Sequence, residues 1–525
     1  MIHERFSMTR KIRVFSQITF FIIFIALIFV FNNKMFAHRM STELFLQLNP
    51  LVFVITSIAS RALIFSVLPG AILFTLLTLF FGRIFCGFIC PLGSAIDFSD
   101  KYIFEKYRFK NARPGLVLQK LKYVLLFTLF TFALFGVVVP FFMDPISIAT
   151  RISASLIDPA LRFLGLTTSN IASTIHNLFI KEPKAATIVI LAMHGSAAVL
   201  LITLMVFAGS FIDRRFWCQY ICPNGAFFAL LSRFSFFRRH IAGDKCSQCK
   251  LCSSKTCPTR AIDPENFTIT STAECILCGL CATNKLNCTE VNFIKPNKVE
   301  IKSIDVQRRH LISGLLLGIT TPVVIRGTAG GKTSVQPVRP PGSIPEDEFL
   351  TRCIACGACI KACPNHALGP GGIFDGLHQI STPRLMALNG FCEPGCIACT
   401  YVCPTLALRP VKTEDKPFVK MGTAVVNKHH CLAWKGDSRC MICMRKCPYQ
   451  AIKEQEIESG DTTISGPEVD KNLCTGCGAC ERFCAMGPQP AIKIFVYGER
   501  RVSNGPVISE RKKESIIKMR KNRSE

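Results

Sequence analysis

The sequence predicts an α-helical membrane bundle of four spans, with a candidate fifth, carrying two α+β modules built around cysteines. Three observations lead there. Long apolar runs are concentrated before about residue 237, in a chain of 525 residues with 43 phenylalanines. Most of the 28 cysteines come after that point. One motif stands twice, as R-I-F-C-G-F-I-C-P-L-G from Arg83 and R-F-W-C-Q-Y-I-C-P-N-G from Arg215, each just beyond an apolar run.

Residues 1–240 hold the expected membrane domain. About 20 apolar residues suffice to cross a bilayer, and four runs qualify: Val14–Phe31, Ala62–Phe81, Val124–Phe141 and Ala185–Phe211. Pro69 and Gly70 interrupt the second, which a packed bundle tolerates. Leu51–Ala59 is apolar but too short to span, and reads as interfacial or re-entrant. Met1–Arg13 has the charge of a signal-peptide start, but no small-residue cleavage site follows and further spans do, so an uncleaved anchor is expected. Lysines and arginines crowd the N-terminal segment, the loop after span two and the segment after span four. Positive-inside bias therefore puts both ends of the bundle, and both C-x-x-x-C-P motifs, on the cytoplasmic side.

Beyond the bundle the cysteines fall into six groups of four: Cys246, Cys249, Cys252 and Cys257; Cys275, Cys278, Cys281 and Cys288; Cys353, Cys356, Cys359 and Cys363; Cys392, Cys396, Cys399 and Cys403; Cys431, Cys440, Cys443 and Cys447; Cys474, Cys477, Cys480 and Cys484. The underlying spacing C-x2-C-x2-C-x3-C-P is that of bacterial ferredoxins. Three close thiolates wrap one cubane, and the distal cysteine reaches the neighbouring one. Soft thiolates suit iron–sulfur chemistry, and small intervening residues, as in C-I-A-C-G-A-C, let the backbone turn tightly. Zinc rarely uses this repeated triple spacing, and structural disulfides suit neither the length nor the apolar character of the chain. The expectation is six [4Fe–4S] clusters in two bacterial ferredoxin-like modules: a cytoplasmic two-cluster domain at 241–295 and a four-cluster domain at 345–500. Several groups depart from the run. Cys252–Cys257 is one residue longer, Cys281–Cys288 has six intervening residues and no proline, and Cys392–Cys396 and Cys431–Cys440 have stretched opening gaps. Cluster type in the second and fifth groups is left open on this ground. No C-x-x-C-H occurs, so no c-type haem is expected.

Residues 296–344 read as a linker with a membrane anchor. Arg308 and Arg309 precede the apolar stretch Leu311–Ile325, the pattern of a twin-arginine export signal, with a surface-lying helix as the alternative. Export would place the four-cluster domain in the periplasm. Residues 501–525 form a basic tail, mild counter-evidence because basic tails are more often cytoplasmic. The formal charge of +27 falls to about +15 once each of six clusters contributes about −2. Nucleic-acid binding, the other reading of such a charge, finds no recognition module here.

The four motif cysteines, Cys86, Cys90, Cys218 and Cys222, have three readings: redox thiols, ligands to a shared metal, or packing against the ferredoxin domain. At i and i+4 both sulfurs of a pair share one face, and the following proline is expected to stop the helix. His194 and Asp144 are weaker candidates for contact with a quinone or its proton. A packed histidine and a helix-ending Asp-Pro are the plainer accounts.

With its four runs, paired C-x-x-x-C-P and trailing two-cluster ferredoxin, the segment 1–295 resembles the NapH type of membrane ferredoxin, related to the NosR and CcoG types. Residues 306–500, with R-R-H-L-I, four cysteine groups and C-L-A-W-K-G-D-S-R-C-M-I-C, resemble the NapG or MauM type. The whole is similar to a fusion of the two. That resemblance implies a multi-pass protein of the bacterial inner (cytoplasmic) membrane that takes electrons from the quinone pool, as menaquinol or ubiquinol. They would pass through [4Fe–4S] clusters to a periplasmic reductase of a nitrate-reductase-like system or to a cytochrome c-type acceptor. The chain would act as an electron-transfer subunit with quinol dehydrogenase activity. The alternative is a maturation factor that reduces a metal centre of a periplasmic enzyme such as nitrous oxide reductase or a copper oxidase. The NosR type carries a flavin-binding domain ahead of its spans, and only 13 residues precede span one here, which favours the first reading.

Overall fold

The computed structural model describes residues 2–29, 44–108, 116–138, 143–163, 197–241, 252–267, 269–283, 289–293, 312, 314–316, 318–320, 336–372, 376, 379–459 and 462–524. His194, Arg308, Arg309, Cys246, Cys249 and Cys288 lie outside them. The chain divides into two units. The first comprises Met1–Ile28, Leu44–Thr150 and Leu200–Arg326, the second Phe29–Glu43, Arg151–Val199 and Gly327–Glu525.

Two helices of the first unit are shorter than the apolar runs that predict them. Helix α1 (Ile2–Phe29) contains Lys11–Ile28, which among the described residues is the one stretch long and apolar enough to cross a membrane. Helices α2 (Pro50–Ser60), α3 (Leu68–Phe81) and α5 (Leu121–Leu134) are apolar but run only 11 to 14 residues, and α6 is described over Ala197–Phe211. The 14 residues of α3 rise about 21 Å, against a hydrocarbon core of about 30 Å. The reason lies at its start. Pro69 and Gly70 open the helix instead of interrupting it, because proline is pre-set for a first turn. A Cβ on Gly70 would also lie 2.4 Å from the carbonyl oxygen of Gln47, so only glycine fits there. These helices turn apolar side chains outward: Phe15 of α1 is 73% exposed, and Ile72, Leu73 and Leu76 of α3 and Leu201 and Leu204 of α6 are exposed too.

The stretch Leu311–Ile325 is helical where described, and it lies along α5. Its Gly314-x-x-x-Gly318 spacing puts two glycines on one face. The Thr128 hydroxyl donates to the Gly314 carbonyl at 3.2 Å, and Gly318 meets Thr131 so closely that a Cβ would fall 2.4 Å from it. This is small-residue packing of the kind that lets membrane helices approach.

The cysteine-rich parts are closed by strands that come before the first cysteine of a pair of groups and after the last. In the first unit β1 (Phe237–Ile241) pairs antiparallel with β2 (Thr289–Phe293), Phe237 opposite Phe293. In the second unit an isolated bridge joins Ser343 to Leu408 around the third and fourth groups. Between them β3 (Leu368–Pro370) pairs with β4 (Pro383–Leu385). Strand β5 (Thr423–Val426) pairs with β8 (Ile492–Phe495) around the fifth and sixth groups. The expected four-cluster domain is therefore two repeats of the same two-group plan. A hairpin absent from that plan, β6 (Ile452–Ser459) and β7 (Thr462–Val469), is inserted in the last repeat.

Candidate functional site

The cysteine groups cross over. One cavity in the second unit is lined by Cys392, Cys396 and Cys399 with Cys363 from the group before. A second is lined by Cys474, Cys477 and Cys480 with Cys447, and a third by Cys431, Cys440 and Cys443 with Cys484. Cys403 acts electrostatically on Cys353, Cys356 and Cys359, which completes the reciprocal set. In the first unit Cys257 joins Cys275, Cys278 and Cys281. Each set takes three close cysteines from one group and the distal cysteine from its partner.

Local backbone geometry explains why. In the second, third and sixth groups the residue before the second cysteine (Leu277, Ala355, Gly476) and the glycine after it (Gly279, Gly357, Gly478) all have positive φ. Two left-handed residues around one cysteine curl the loop so that its sulfurs face inward. After each C-P, Arg260, His366, Leu406 and Gln450 are also left-handed. That twist aims a following N–H at the distal sulfur: Ala261 to Cys257, Ala367 to Cys363 and Ala451 to Cys447 at 3.3 Å, and Leu408 to Cys403 at 3.4 Å. Such donors favour thiolate over thiol. The long gap from Cys431 to Cys440 holds a short helix, Leu432–Lys435, ended by left-handed Gly436. Trp434 anchors it by donating to the Pro467 carbonyl at 3.1 Å, so Cys431 still reaches its cavity.

Burial pushes the thiols up, Cys353 and Cys356 to about 12. A thiol so placed becomes a thiolate through coordination, since the metal supplies the opposing charge. Soft donors, N–H groups aimed at sulfur and apolar walls fit [4Fe–4S] clusters. One charge stands out in this setting. Lys416 is buried, and its Nζ donates to the Cys392 sulfur at 3.3 Å.

The paired C-x-x-x-C-P motifs adopt matching folds in the first unit. Each forms a wide π-helical turn, Phe85–Ile89 and Trp217–Ile221, closed by Cys90 N–H to Phe85 O and Cys222 N–H to Trp217 O, both 2.9 Å. Each helical turn stops at the cysteine before the proline, as the sequence suggested, and the proline then begins a new helix. Cys90 and Cys222 are N-caps of α4 (Pro91–Ser99) and α7 (Pro223–Ser232), their sulfurs accepting from Gly93 N–H at 3.4 Å and Gly225 N–H at 3.2 Å. Proline is favoured at the first helical position, which explains the new start. Both motifs also abut ferredoxin loops. A Cβ on Gly87 would meet the Ile276 carbonyl, and Gln219 donates to the Pro258 carbonyl at 2.9 Å. Burial pushes Cys218 up to about 11 and raises Cys90 and Cys222, the opposite of what a reactive thiol requires.

Several residues the sequence counted only as orientation charges are structural. Arg83 and Arg215, three residues before the first cysteine of each motif, are buried. Arg215 holds Asp97 through two bonds of 2.6 Å, and Asp97 also accepts from Arg13 and from Gln17 at 2.7 Å. Arg83 and Lys122 both reach Glu274, beside Cys275, at 3.0 and 2.6 Å, and Tyr123 donates to it at 3.0 Å. The signal was available: the repeat is R-x-x-C-x-x-x-C-P-x-G, with arginine and glycine as constant as the cysteines. Asp144 stands just before a helix. It caps that helix, Pro145–Ile152, accepting from Ser147 N–H at 2.8 Å and from the Asn49 amide at 2.6 Å.

Two families, each described as a 4Fe-4S binding domain, match the chain: one at residues 63–110 and 196–242, the other at 349–369. Among curated relatives, the methylamine utilization ferredoxin-type protein MauM of Methylophilus methylotrophus is 39% identical over 163 residues, 30% of this chain and 70% of that protein. The ferredoxin-type protein NapG of Escherichia coli (strain K12) is 39% identical over 167 residues, 30% of this chain and 70% of the relative. The ferredoxin-type protein NapF of the same organism is 36% identical over 153 residues, 28% and 80%. No solved structure matches significantly.

Proposed function

Because the chain belongs to the family of ferredoxin-type proteins that includes MauM and NapG, we propose that it is a membrane-bound conductor carrying electrons from quinol, through a series of [4Fe–4S] clusters, to a periplasmic redox enzyme. The clusters supply one-electron carriers whose potentials follow charge, hydrogen bonding and exposure. The observation that carries the reading is the reciprocal exchange of distal cysteines, which yields five complete ligand sets among the described residues. Cys246, Cys249, Cys252 and Cys288 would form the sixth by the same rule. The outward apolar faces of α1, α3 and α6 suit a lipid setting, with residues 1–295 as a NapH-type part fused to a NapG-type part at 306–500.

The protein's own contribution is to hold the thiolates, shield them from water and place charges beside them. Lys122, Tyr123, Arg83 and Glu274 fix the loop of one set against α5. The test uses membranes containing the full chain, given a reduced quinol analogue while cluster reduction is followed by EPR. Quinol-dependent signals are expected. Their absence removes quinol as donor, and iron and acid-labile sulfide near eight per chain instead of about 24 would mean that most sets are not cubanes.

A further inference from the structure

Cys86, Cys90, Cys218 and Cys222 belong to none of the six sets, yet they stand together. We propose that the two C-x-x-x-C-P motifs are half-sites that jointly bind one additional [4Fe–4S] cluster, two thiolates from each motif. This rests on the reading of the chain as an iron–sulfur conductor. Each family match in the membrane half contains only one of these pairs, half of what a cubane needs.

The geometry brings the halves into contact. The Arg215 guanidinium, from the second motif, donates to the Cys86 carbonyl of the first at 3.1 Å. Arg83, from the first motif, lies so close to Gly225 of the second that a Cβ there would be 3.1 Å from its Nη2. Each pair among the four sulfurs is linked by an electrostatic interaction, so all four share one neighbourhood. The motifs are related as two copies of one turn, with Cys90 and Cys222 each receiving a backbone N–H on sulfur, as the distal cysteines of the ferredoxin sets do.

The surroundings suit a dianionic cluster. Two arginines, Arg83 and Arg215, are buried at the contact between the motifs. The second motif also carries buried donors with no protein partner among the described residues: Trp217 Nε1, beside Cys218, and Asn224 Nδ2, two residues beyond Cys222. A buried amide or indole N–H left unpaired is destabilising, and acceptor sulfides would remove that cost. A lone ion fits less well. Tetrahedral zinc draws its sulfurs to roughly 3.8 Å from one another. Among the described residues no three cysteine, histidine or carboxylate side chains converge tightly enough to grip one ion, in the ferredoxin sets as in this one. Thiolates set around a cubane stand wider than those around zinc. The contacts of Gly87 with Ile276 and of Gln219 with Pro258 put the site against the set of Cys257, Cys275, Cys278 and Cys281, where a further carrier would extend the path.

The test compares the anaerobically purified full chain with Cys90→Ser/Cys222→Ser and with Cys218→Ser alone. Iron and acid-labile sulfide are expected to fall from about 28 to about 24 per chain in the double variant, with the signals of the other clusters retained as proof of folding. The single variant, which keeps three thiolates, is expected either to lose the same four irons or to gain the oxidised-state EPR signal of a three-iron centre. Wild type and both variants all near 24, with no new signal, overturns this inference and leaves the conductor intact. Loss of one zinc instead of four irons overturns the cubane. Wild-type iron far below 24 would instead overturn the conductor reading itself.

Discussion

At the scale of single residues, Lys416 sets an uneven electrostatic landscape. Its ammonium contacts the Cys392 sulfur at 3.3 Å from a buried position, so it favours the more negative, reduced state of the cluster assigned to Cys363, Cys392, Cys396 and Cys399. Two charges about 5 Å apart at an effective dielectric of about 20 interact by roughly 3 kcal/mol. Lys416→Met should therefore lower the potential of that one centre by about 50–150 mV and leave the others in place, as read in an EPR-monitored redox titration. An unchanged titration would show that the charge is screened or that the centre lies elsewhere. Nothing in the sequence marked Lys416 among 62 lysines and arginines, because its role depends on burial. Arg83 and Arg215 were hidden differently. The positive-inside argument treats every cytoplasmic cation alike, whereas these two are interior partners of Glu274 and Asp97. The cysteines themselves were legible, since cluster chemistry constrains their spacing directly and a left-handed residue beside each turn follows from it.

At the scale of elements, periodicity and composition located the helices and misjudged their ends. Proline was the common cause. Pro69, Pro91, Pro145 and Pro223 each open a helix, because a residue without an N–H is least costly where no helical bond is needed. The C-x-x-x-C-P motif is consequently a junction between a wide turn and a new helix. The apolar stretch after Arg308–Arg309 was read for export or anchoring by composition alone. Its glycine spacing carries further information, since Gly314 and Gly318 set it against α5. A leucine at Gly318 would drive its Cβ into Thr131. Overpacking of this kind costs about 1–3 kcal/mol. Gly318→Leu is therefore expected to lower the thermal midpoint of the detergent-solubilised chain and to open the 311–325 segment to protease. Gly395→Ala, where a Cβ meets nothing within 4 Å, should change neither. Equal behaviour of the two variants would mean the packing on α5 contributes nothing.

At the scale of the whole molecule, each cysteine-rich part of the proposed conductor is assigned a side of a membrane, and the basic C-terminus bears on that assignment. Read as sequence, residues 501–525 are a free cationic tail that pulls against a periplasmic location. In the structure Glu510–Ser524 is a helix docked on its own unit. Ile516 is buried, Lys513 pairs with Asp415 at 2.5 Å, and Arg520 lies over the rings of Phe418 and Tyr449. Arg501 is likewise tied to Glu346, which Arg339 also holds. Cations fixed on a folded surface far from any span carry little topological weight, because the charge rule acts on residues within about 15–20 of a span end. The tail's objection to export therefore lapses, while the density of lysine and arginine around the two C-x-x-x-C-P motifs still supports the proposed cytoplasmic side for that part. A phosphatase reporter fused after Glu525 should be active and one fused after Phe293 inactive, with a fluorescent cytoplasmic reporter showing the reverse. Fluorescence at both positions would place all the clusters on one side, and the chain would then need a separate carrier to reach a periplasmic acceptor.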